Sequence, residues 1–335
     1  MNIKKALTLM LAAAMTLTIA SCSKDETSSN NQVGSSSTSN ENFQFTQPIT
    51  VVVPFKSGSA TDNQLRLMQA DLEEALGTTL VILNAEGGSG TIGTTEFLNN
   101  YKPDGYTILY SLATPVVYKP LSGDTAYTYD DFASVARTSS QPFYLIMADS
   151  NPMSNAEDVL KYIKENPAKF TYSHVGNGGN GHLAFASFLI GEGLEAVSVP
   201  YPGGTADCYT AVMGGEVDSC VYGESDLLAR PDCHGVINLG TKSTVESLKD
   251  IPTLSELGYE GYTTNNMAGF FYHKDVPSAA VSTFEEAVQT VLSNADFISR
   301  ATEAGFVPSF ASGSEMDEQA SQAIKAATPV IEAMN

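Results

Sequence analysis

Basic side chains are scarce in this chain. Seventeen Lys and Arg face 38 Asp and Glu, a formal net charge of −21. No basic stripe is present, which removes nucleic acid from the list of partners. There are four arginines, Arg66, Arg137, Arg230 and Arg300, too few for a site built from clustered guanidinium forks. Anion recognition then falls to backbone amides, hydroxyls and water. Cysteine is equally sparse. Beyond Cys22 there are Cys208, Cys220 and Cys233, an odd number that leaves at least one thiol unpaired in an oxidising compartment. Cys220 reads as part of a strand and Cys233 as part of a loop, and a Cys220–Cys233 bridge is one arrangement open to them. No paired ligand spacing supports a metal, and no cofactor is expected. After residue 20 no apolar run is long enough to span a bilayer.

The catalytic signatures are missing too. Ser57 and Ser59 lack the Gly-x-Ser-x-Gly elbow and a motif-paired histidine. Neither glycine-dense loop carries the lysine of a phosphate-cradling NTPase. Gly88-x-Gly90-x-x-Gly93 matches the bare dinucleotide spacing, but stands alone. No catalytic residue is assigned, and a hydrolase is the remote alternative.

What is present starts with an address. Lys4 and Lys5 precede an apolar run from Ala6 to Ala20 that ends in Ile19-Ala20-Ser21-Cys22. This reads as a signal peptide over 1–21. The small residues before Cys22 resemble a bacterial lipobox, with Cys22 as the lipidated new N-terminus; the plainer reading is an ordinary cleaved signal. Residues 22–44 are Ser/Asn-rich, without apolar periodicity, and fit a flexible tether. The expectation is an extracytoplasmic body, lipid-anchored to the membrane.

The most informative stretch is Ile49–Asp62, ITVVVPFKSGSATD. Its apolar β-formers, Ser/Gly turn and following amphipathic run predict strand, tight turn and helix start, a geometry that aims free amides and a helix dipole at one point. A second glycine-dense turn lies at Ser173–His182. Strand and helix patterns alternate through most of the chain, which predicts an α/β fold. At 335 residues it can hold two domains with proper cores. The expected division is 45–142 plus 268–335 for lobe 1 and 143–267 for lobe 2, with hinges near 140–145 and 260–272. Both glycine loops then fall at strand C-termini, where such sheets bind ligands.

These residues, in order, resemble a known family. The ordered set is Val53-Pro54-Phe55 with Gly58 and Asp62; Gly87–Gly93; Pro103-Asp104-Gly105-Tyr106-Thr107; Asp131-Phe132; Gly176-Asn177-Gly178 with His182-Leu183; Val199-Pro200-Tyr201; Gly214-Gly215 with Val217-Asp218; and Ile251-Pro252-Thr253-Leu254. The set is similar to the Bug-type extracytoplasmic substrate-binding proteins of tripartite tricarboxylate transporters. The resemblance implies a two-lobed, type II periplasmic-binding-protein (Venus-flytrap) architecture, which captures a small carboxylate for uptake by integral membrane transporter subunits, working as a monomer. A sensor that presents its ligand to a receptor kinase is the alternative. The resemblance places the ligand carboxylate between Phe55, Ser57, Gly58 and Asp62 on one side and Gly176, Asn177, Gly178, Gly179, Asn180 and His182 on the other. The chain departs from the family pattern at Ser59, at Ala85-Glu86 and at Pro202, which bears on the ligand's identity.

Each candidate also has a plainer reading. Asp62 caps a helix or orients pocket waters. Lys56 pairs with a carboxylate or extends into water. His182 fixes its turn or touches ligand, and His174 is local structure. Ser59 stands with Lys56 as a residue that sets this chain apart. Tyr201, Tyr222 and Glu224 are candidates for the ligand's far end. Glu224 there would disfavour a second carboxylate and favour an amine or hydroxyl.

Overall fold

A computed structural model describes residues 43–201 and 204–334. The signal peptide, Cys22 and nearly all of the tether lie outside the described residues, as does Pro202. Strands and helices follow in the order β1 (Ile49–Val53), α1 (Ala60–Leu76), β2 (Leu80–Asn84), α2 (Thr91–Asn100), β3 (Thr107–Leu112), β4 (Phe132–Ala148), α3 (Ala156–Glu165), β5 (Thr171–His174), α4 (Asn180–Gly191) and β6 (Val197–Pro200). Then come α5 (Thr205–Met213), β7 (Ser219–Gly223), α6 (Glu224–Leu228), β8 (Cys233–Asn238), β9 (Asn265–His273), α7 (Ser278–Leu292), α8 (Ala295–Glu303), β10 (Ala311–Ser312) and α9 (Gly313–Met334). The α/β expectation holds.

The strands fall into two groups joined by one long strand. β1 lies parallel between β2 and β3, and β9 runs antiparallel between β3 and the first part of β4. The second part of β4, from Phe143 onward, pairs antiparallel with β7 and β8. β5 then pairs parallel with β7 and β6. Residues 143–147 lie in the second half of the 17-residue β4, which runs through both groups. Its burial is nearly continuous because helices cover both faces.

Alternation along the strands sorts the cores. Val51 and Val53 of β1 pack with Leu65, Met68 and Leu72 of α1 and Phe284 of α7, all buried. Val52, pointing the other way, packs with Phe97 of α2 and with Ala320 and Ile331 of α9. In β4, Leu145 and Met147 face α3 and α4, while Tyr144 and Ile146 face α5. The period-2 side-chain alternation of a strand requires this division.

Helix ends follow local chemistry. α1 begins at Ala60, five residues before the apolar run that starts at Leu65, because Ser59 caps it: its Oγ accepts from the Asp62 amide at 3.3 Å. It stops at Gly77, whose φ of +66° forms a left-handed C-cap. One expectation about cysteine fails, and one open question is answered. Cys233 opens β8 instead of lying in a loop, and Cys208, Cys220 and Cys233 are all free and buried. No Cys220–Cys233 bridge forms; the three thiols sit in the apolar core beside Tyr209 and Tyr222.

Candidate functional site

The two glycine loops are built on one plan. In the first, the Ser59 amide donates to the Lys56 carbonyl at 3.0 Å, and Gly58, third of the four turn residues, has a φ of +80°. In the second, the Gly179 amide donates to the Gly176 carbonyl at 3.2 Å, and Gly178, again third, has a φ of +68°. Both fit type II turns, which demand positive φ at that position. Each turn runs straight into a helix, α1 or α4. The third residue's amide is tied in both loops to a side chain four residues ahead. Gly58 donates to Asp62 Oδ2 at 2.8 Å, and Gly178 donates to His182 Nδ1 at 3.2 Å.

Asp62 is therefore the hub of the first loop. It is fully buried, and its carboxylate also accepts from Arg66 Nε at 2.8 Å and Asn84 Nδ2 at 3.0 Å. Asn84 Nδ2 reaches the Phe55 carbonyl as well, at 3.1 Å, so the end of β2 holds the loop from below. Burial by itself raises the Asp62 carboxyl; the bonds from Arg66, Gly58 and Asn84 outweigh it and hold the group below the usual carboxylate range. Both oxygens are engaged inside the protein and the side chain is buried, so Asp62 organises the loop. The Gly58 amide, committed to Asp62, is likewise not a free donor.

His182 does the same in the second loop. Burial pushes its imidazole down to about 4. It is neutral at pH 7, with Nδ1 accepting from Gly178 and the proton on Nε2. His174 accepts from the Gly176 amide on Nδ1 at 3.2 Å and sits 2.7 Å from Ser198 Oγ through Nε2. Burial, and then the neighbouring His182, push it to about 4 also. The rings of His174 and His182 lie 4.3 Å apart. Both histidines are turn anchors.

Donors remain at both helix starts. The amides of Ala60 and Thr61 in α1, and of Asn180 and Gly181 in α4, precede any intrahelical acceptor and have no partner among the described residues. α4 has no side-chain cap, since Gly179 occupies that position. Asn180 is 5% exposed; its Nδ2 donates to the Asn265 carbonyl at 3.3 Å, while its Oδ1 is buried without a partner. Lys56 is exposed, with no ion-pair partner among the described residues. Ser57 is exposed at the tip of the first turn, and Asn177 at the tip of the second.

A cavity of about 560 Å³ opens at the start of α1. Ala60, Thr61 and Gln64 of α1 line it together with Ser139 and Gln141 of β4, Asn266 of β9, Thr205 at the start of α5, and Ser225 and Asp226 in α6. None of the fifteen residues picked from sequence lines this cavity. Thr61 lies inside the Ile49–Asp62 stretch, next to the predicted contact Asp62. Thr205 and Ser225 each lie at a helix start headed by a glycine, Gly204 and Gly223, as α4 is by Gly179.

Two of the candidates for the ligand's far end turn inward. Tyr222 is 5% exposed and stacks on Tyr209 at 5.5 Å inside the core. Its strand parity points it under α5. Glu224 is 6% exposed and satisfied by the hydroxyls of Tyr144, at 3.1 Å, and Ser243. It does not face the cavity. Asp226, two residues on, does. Burial raises its carboxyl, while the Arg230 charge and the Gly223 amide partly offset that rise. Tyr201 stays half-exposed, its hydroxyl 3.4 Å from Glu216 Oε2.

The fold has counterparts among known proteins. The family model described as "Tripartite tricarboxylate transporter family receptor" matches residues 64–335. A curated relative from Pseudomonas sp. (strain P51), the UPF0065 protein in the tcbD-tcbE intergenic region, is 28% identical over 258 residues, covering 75% of this chain and 76% of that one. A TctC solute-binding protein from Polaromonas, solved without ligand, superposes with a TM-score of 0.76 at 21% identity, covering 86% of this chain and 99% of that one. R. palustris Rpa4515, solved with adipate, superposes with a TM-score of 0.66 at 26% identity, covering 84% and 94%. Proteins of this family are extracytoplasmic binding proteins rather than enzymes, and the two-lobed fold expected from the ordered motifs is theirs. The chain belongs to the receptor family of the tripartite tricarboxylate transporters, the Bug-type solute-binding proteins.

Proposed function

We propose that this protein is a lipid-anchored receptor, tethered through Cys22, that captures a small organic carboxylate between two lobes and delivers it to integral membrane transporter subunits. The lobes are 45–142 plus 268–335 and 143–267, with β4 and the entry to β9 as the crossing segments. The observation that carries the reading is the pair of matching glycine turns, each feeding a helix whose first amides lack partners. A carboxylate would dock on the amides of Ala60 and Thr61, with Lys56 and Ser57 at the rim. Closure would bring up the uncapped start of α4, with Asn177, Gly179 and the amides of Asn180 and Gly181. An acidic chain can bind an anion this way because backbone dipoles act at close range, while net charge acts at long range.

The far end of the ligand would meet Asp226, Ser225, Gln141 and Thr205. Asp226 takes over the role first assigned to Glu224. A carboxylate there would be repelled; a hydroxyl or amine would be accepted. Adipate, present in the Rpa4515 structure, has a second carboxylate, so the preference of this chain should differ. No catalytic step is assigned.

The test is thermal-shift screening of the full-length chain against a carboxylate panel. Ligand at a hundred times its Kd stabilises by about 2.7 kcal/mol. Hydroxy- or amino-monocarboxylates should raise the melting temperature above dicarboxylates of equal length. Stabilisation by neutral sugars alone would sink the reading. Stabilisation by dicarboxylates alone would sink the role given to Asp226.

A further inference from the structure

Arg137 is placed unlike the other three arginines. Arg66 pairs with Asp62 at 2.8 Å, Arg300 pairs with Asp71 at 2.7 Å, and Arg230 lies 4.4 Å over the Tyr209 ring. The half-buried Arg137 guanidinium is held only by neutral acceptors. Nε donates to the Ser309 carbonyl at 3.0 Å, Nη1 to Gln319 Oε1 at 2.8 Å, and Nη2 to Ser309 Oγ at 3.0 Å and the Phe310 carbonyl at 3.4 Å. A guanidinium carries five N–H donors in a rigid fork. Four are used, one on Nη1 is left, and the positive charge has no carboxylate in ion-pair contact among the described residues. Glu315 is the acid near enough to act on it, and that carboxylate is already engaged by the Ser312 amide and hydroxyl.

This charge borders a cavity of about 400 Å³. The cavity lies on the face of β4 opposite the cleft: Ser140 lines it, whereas Ser139 and Gln141 line the cleft. Its other polar walls, besides the Ser309 and Gln319 that hold Arg137, are Tyr118, Thr241, Thr263, Thr264, Asn265 and Gln322, all uncharged. An adjoining groove, sharing Gly261, Gln322 and Ala326, adds one Lys325 and one Glu260, which balance each other. A preorganised cation facing hydroxyls and an amide in a space of this size is the chemistry of a site for one anionic group on a polar body.

We propose that this cavity is a second anion site, taking the carboxylate of a small hydroxylated monocarboxylate on Arg137, with the hydroxyls of the ligand against Thr263, Thr264 and Gln322. Its walls come from α9 on one side and the 261–265 segment leading into β9 on the other, so an occupant would bridge the two strand groups from behind the cleft. Occupancy here is independent of the cleft ligand's identity.

The test is crystallographic. Crystals of the full-length chain are soaked in selenate, and the anomalous signal is located; gluconate is then added as the carboxylate competitor. The expected result is a selenium peak within hydrogen-bond reach of Arg137 Nη1 that gluconate displaces. Arg137→Gln removes the peak. Because Arg137 also ties Ser309 and Gln319 to β4, Gln322→Glu serves as the second variant: it leaves that tie intact and sets a repelling charge on the exposed wall. In solution each variant should bind gluconate roughly tenfold more weakly or worse, the scale of one charge-assisted hydrogen bond. No peak at Arg137, a peak confined to the starts of α1 and α4, a peak that gluconate leaves in place, or a peak undiminished in Gln322→Glu would each overturn the proposal.

Discussion

Asp62→Asn tests the physical account of the first loop most directly. In the parent, three donors converge on one fully buried carboxylate: Gly58 N, Arg66 Nε and Asn84 Nδ2. The amide of asparagine keeps one acceptor oxygen and turns its NH₂ toward a donor. Arg66 is 46% exposed and regains water, so its share of the loss is small. One of the remaining two bonds survives, and the other becomes a donor–donor conflict with a buried group unsatisfied. The expected cost is about 2–3 kcal/mol, and Asp62→Ala, which loses both, about 3–5 kcal/mol.

The pH dependence has a definite sign. The folded carboxyl lies below its unfolded value. Its stabilising contribution is therefore present above the unfolded value and is lost as pH falls through the folded one. The gap between parent and Asp62→Asn should be widest near neutrality and narrow below about pH 4. Urea unfolding followed by far-UV circular dichroism measures it, the chain having no tryptophan to report. An Asp62→Asn variant within about 0.5 kcal/mol of the parent at pH 7, or a gap that widens in acid, would refute the reasoning.

Other predictions rest on different contacts. Gly58→Ala and Gly178→Ala meet open space but sit at φ of +80° and +68°. Each should cost about 1–2 kcal/mol of backbone strain; equal cost at Gly176, whose φ is not positive, would rule out the turn assignment. His174 and His182 are depressed to about 4 in the folded state. The unfolded chain then binds more protons between about pH 4 and 6.5. Stability should rise across that window as pH rises, and His182→Gln should flatten the rise. A native-state titration with a thiol reagent should leave Cys208, Cys220 and Cys233 unmodified until the chain unfolds, whereas a mass two hydrogens lower under oxidising conditions would contradict three free thiols. Lys56→Ala should weaken carboxylate binding by less than roughly tenfold if first-turn amides carry most of the charge; complete loss of binding would make Lys56 the principal anchor.

Much of this was legible in residue order. Glycine at the third turn position is a local demand of positive φ, so Gly58 and Gly178 could be located by their neighbours. The end of α1 was legible in Gly77 for the same reason, whereas its start lies at the Ser59 cap, ahead of the amphipathic run and of Asp62, the cap candidate. The side chains past β7 were less accessible. Tyr222 and Glu224 occupy the right strand end, yet one points under α5 and the other reaches Tyr144 and Ser243. The cavity residues Ser225 and Asp226 follow in the next turn. Spacing predicts that neighbouring residues take opposite sides; it does not say which side a helix from elsewhere will cover.

By itself the sequence determined the alternation of strand and helix, the two glycine turns, and the scarcity of cations that makes amides the natural anion donors. Those are properties of φ, periodicity and composition, all local. The tertiary structure decided that β4 runs through both strand groups, that Asp62 and His182 spend themselves holding their own loops, and that Arg137 keeps an unpaired charge beside a polar cavity. Each depends on residues far apart in the chain: Asn84 under Phe55, Asn265 beside Asn180, and Ser309 and Gln319 around Arg137. Burial turns those meetings into constraints, because a buried polar group must find its partner wherever the fold supplies one.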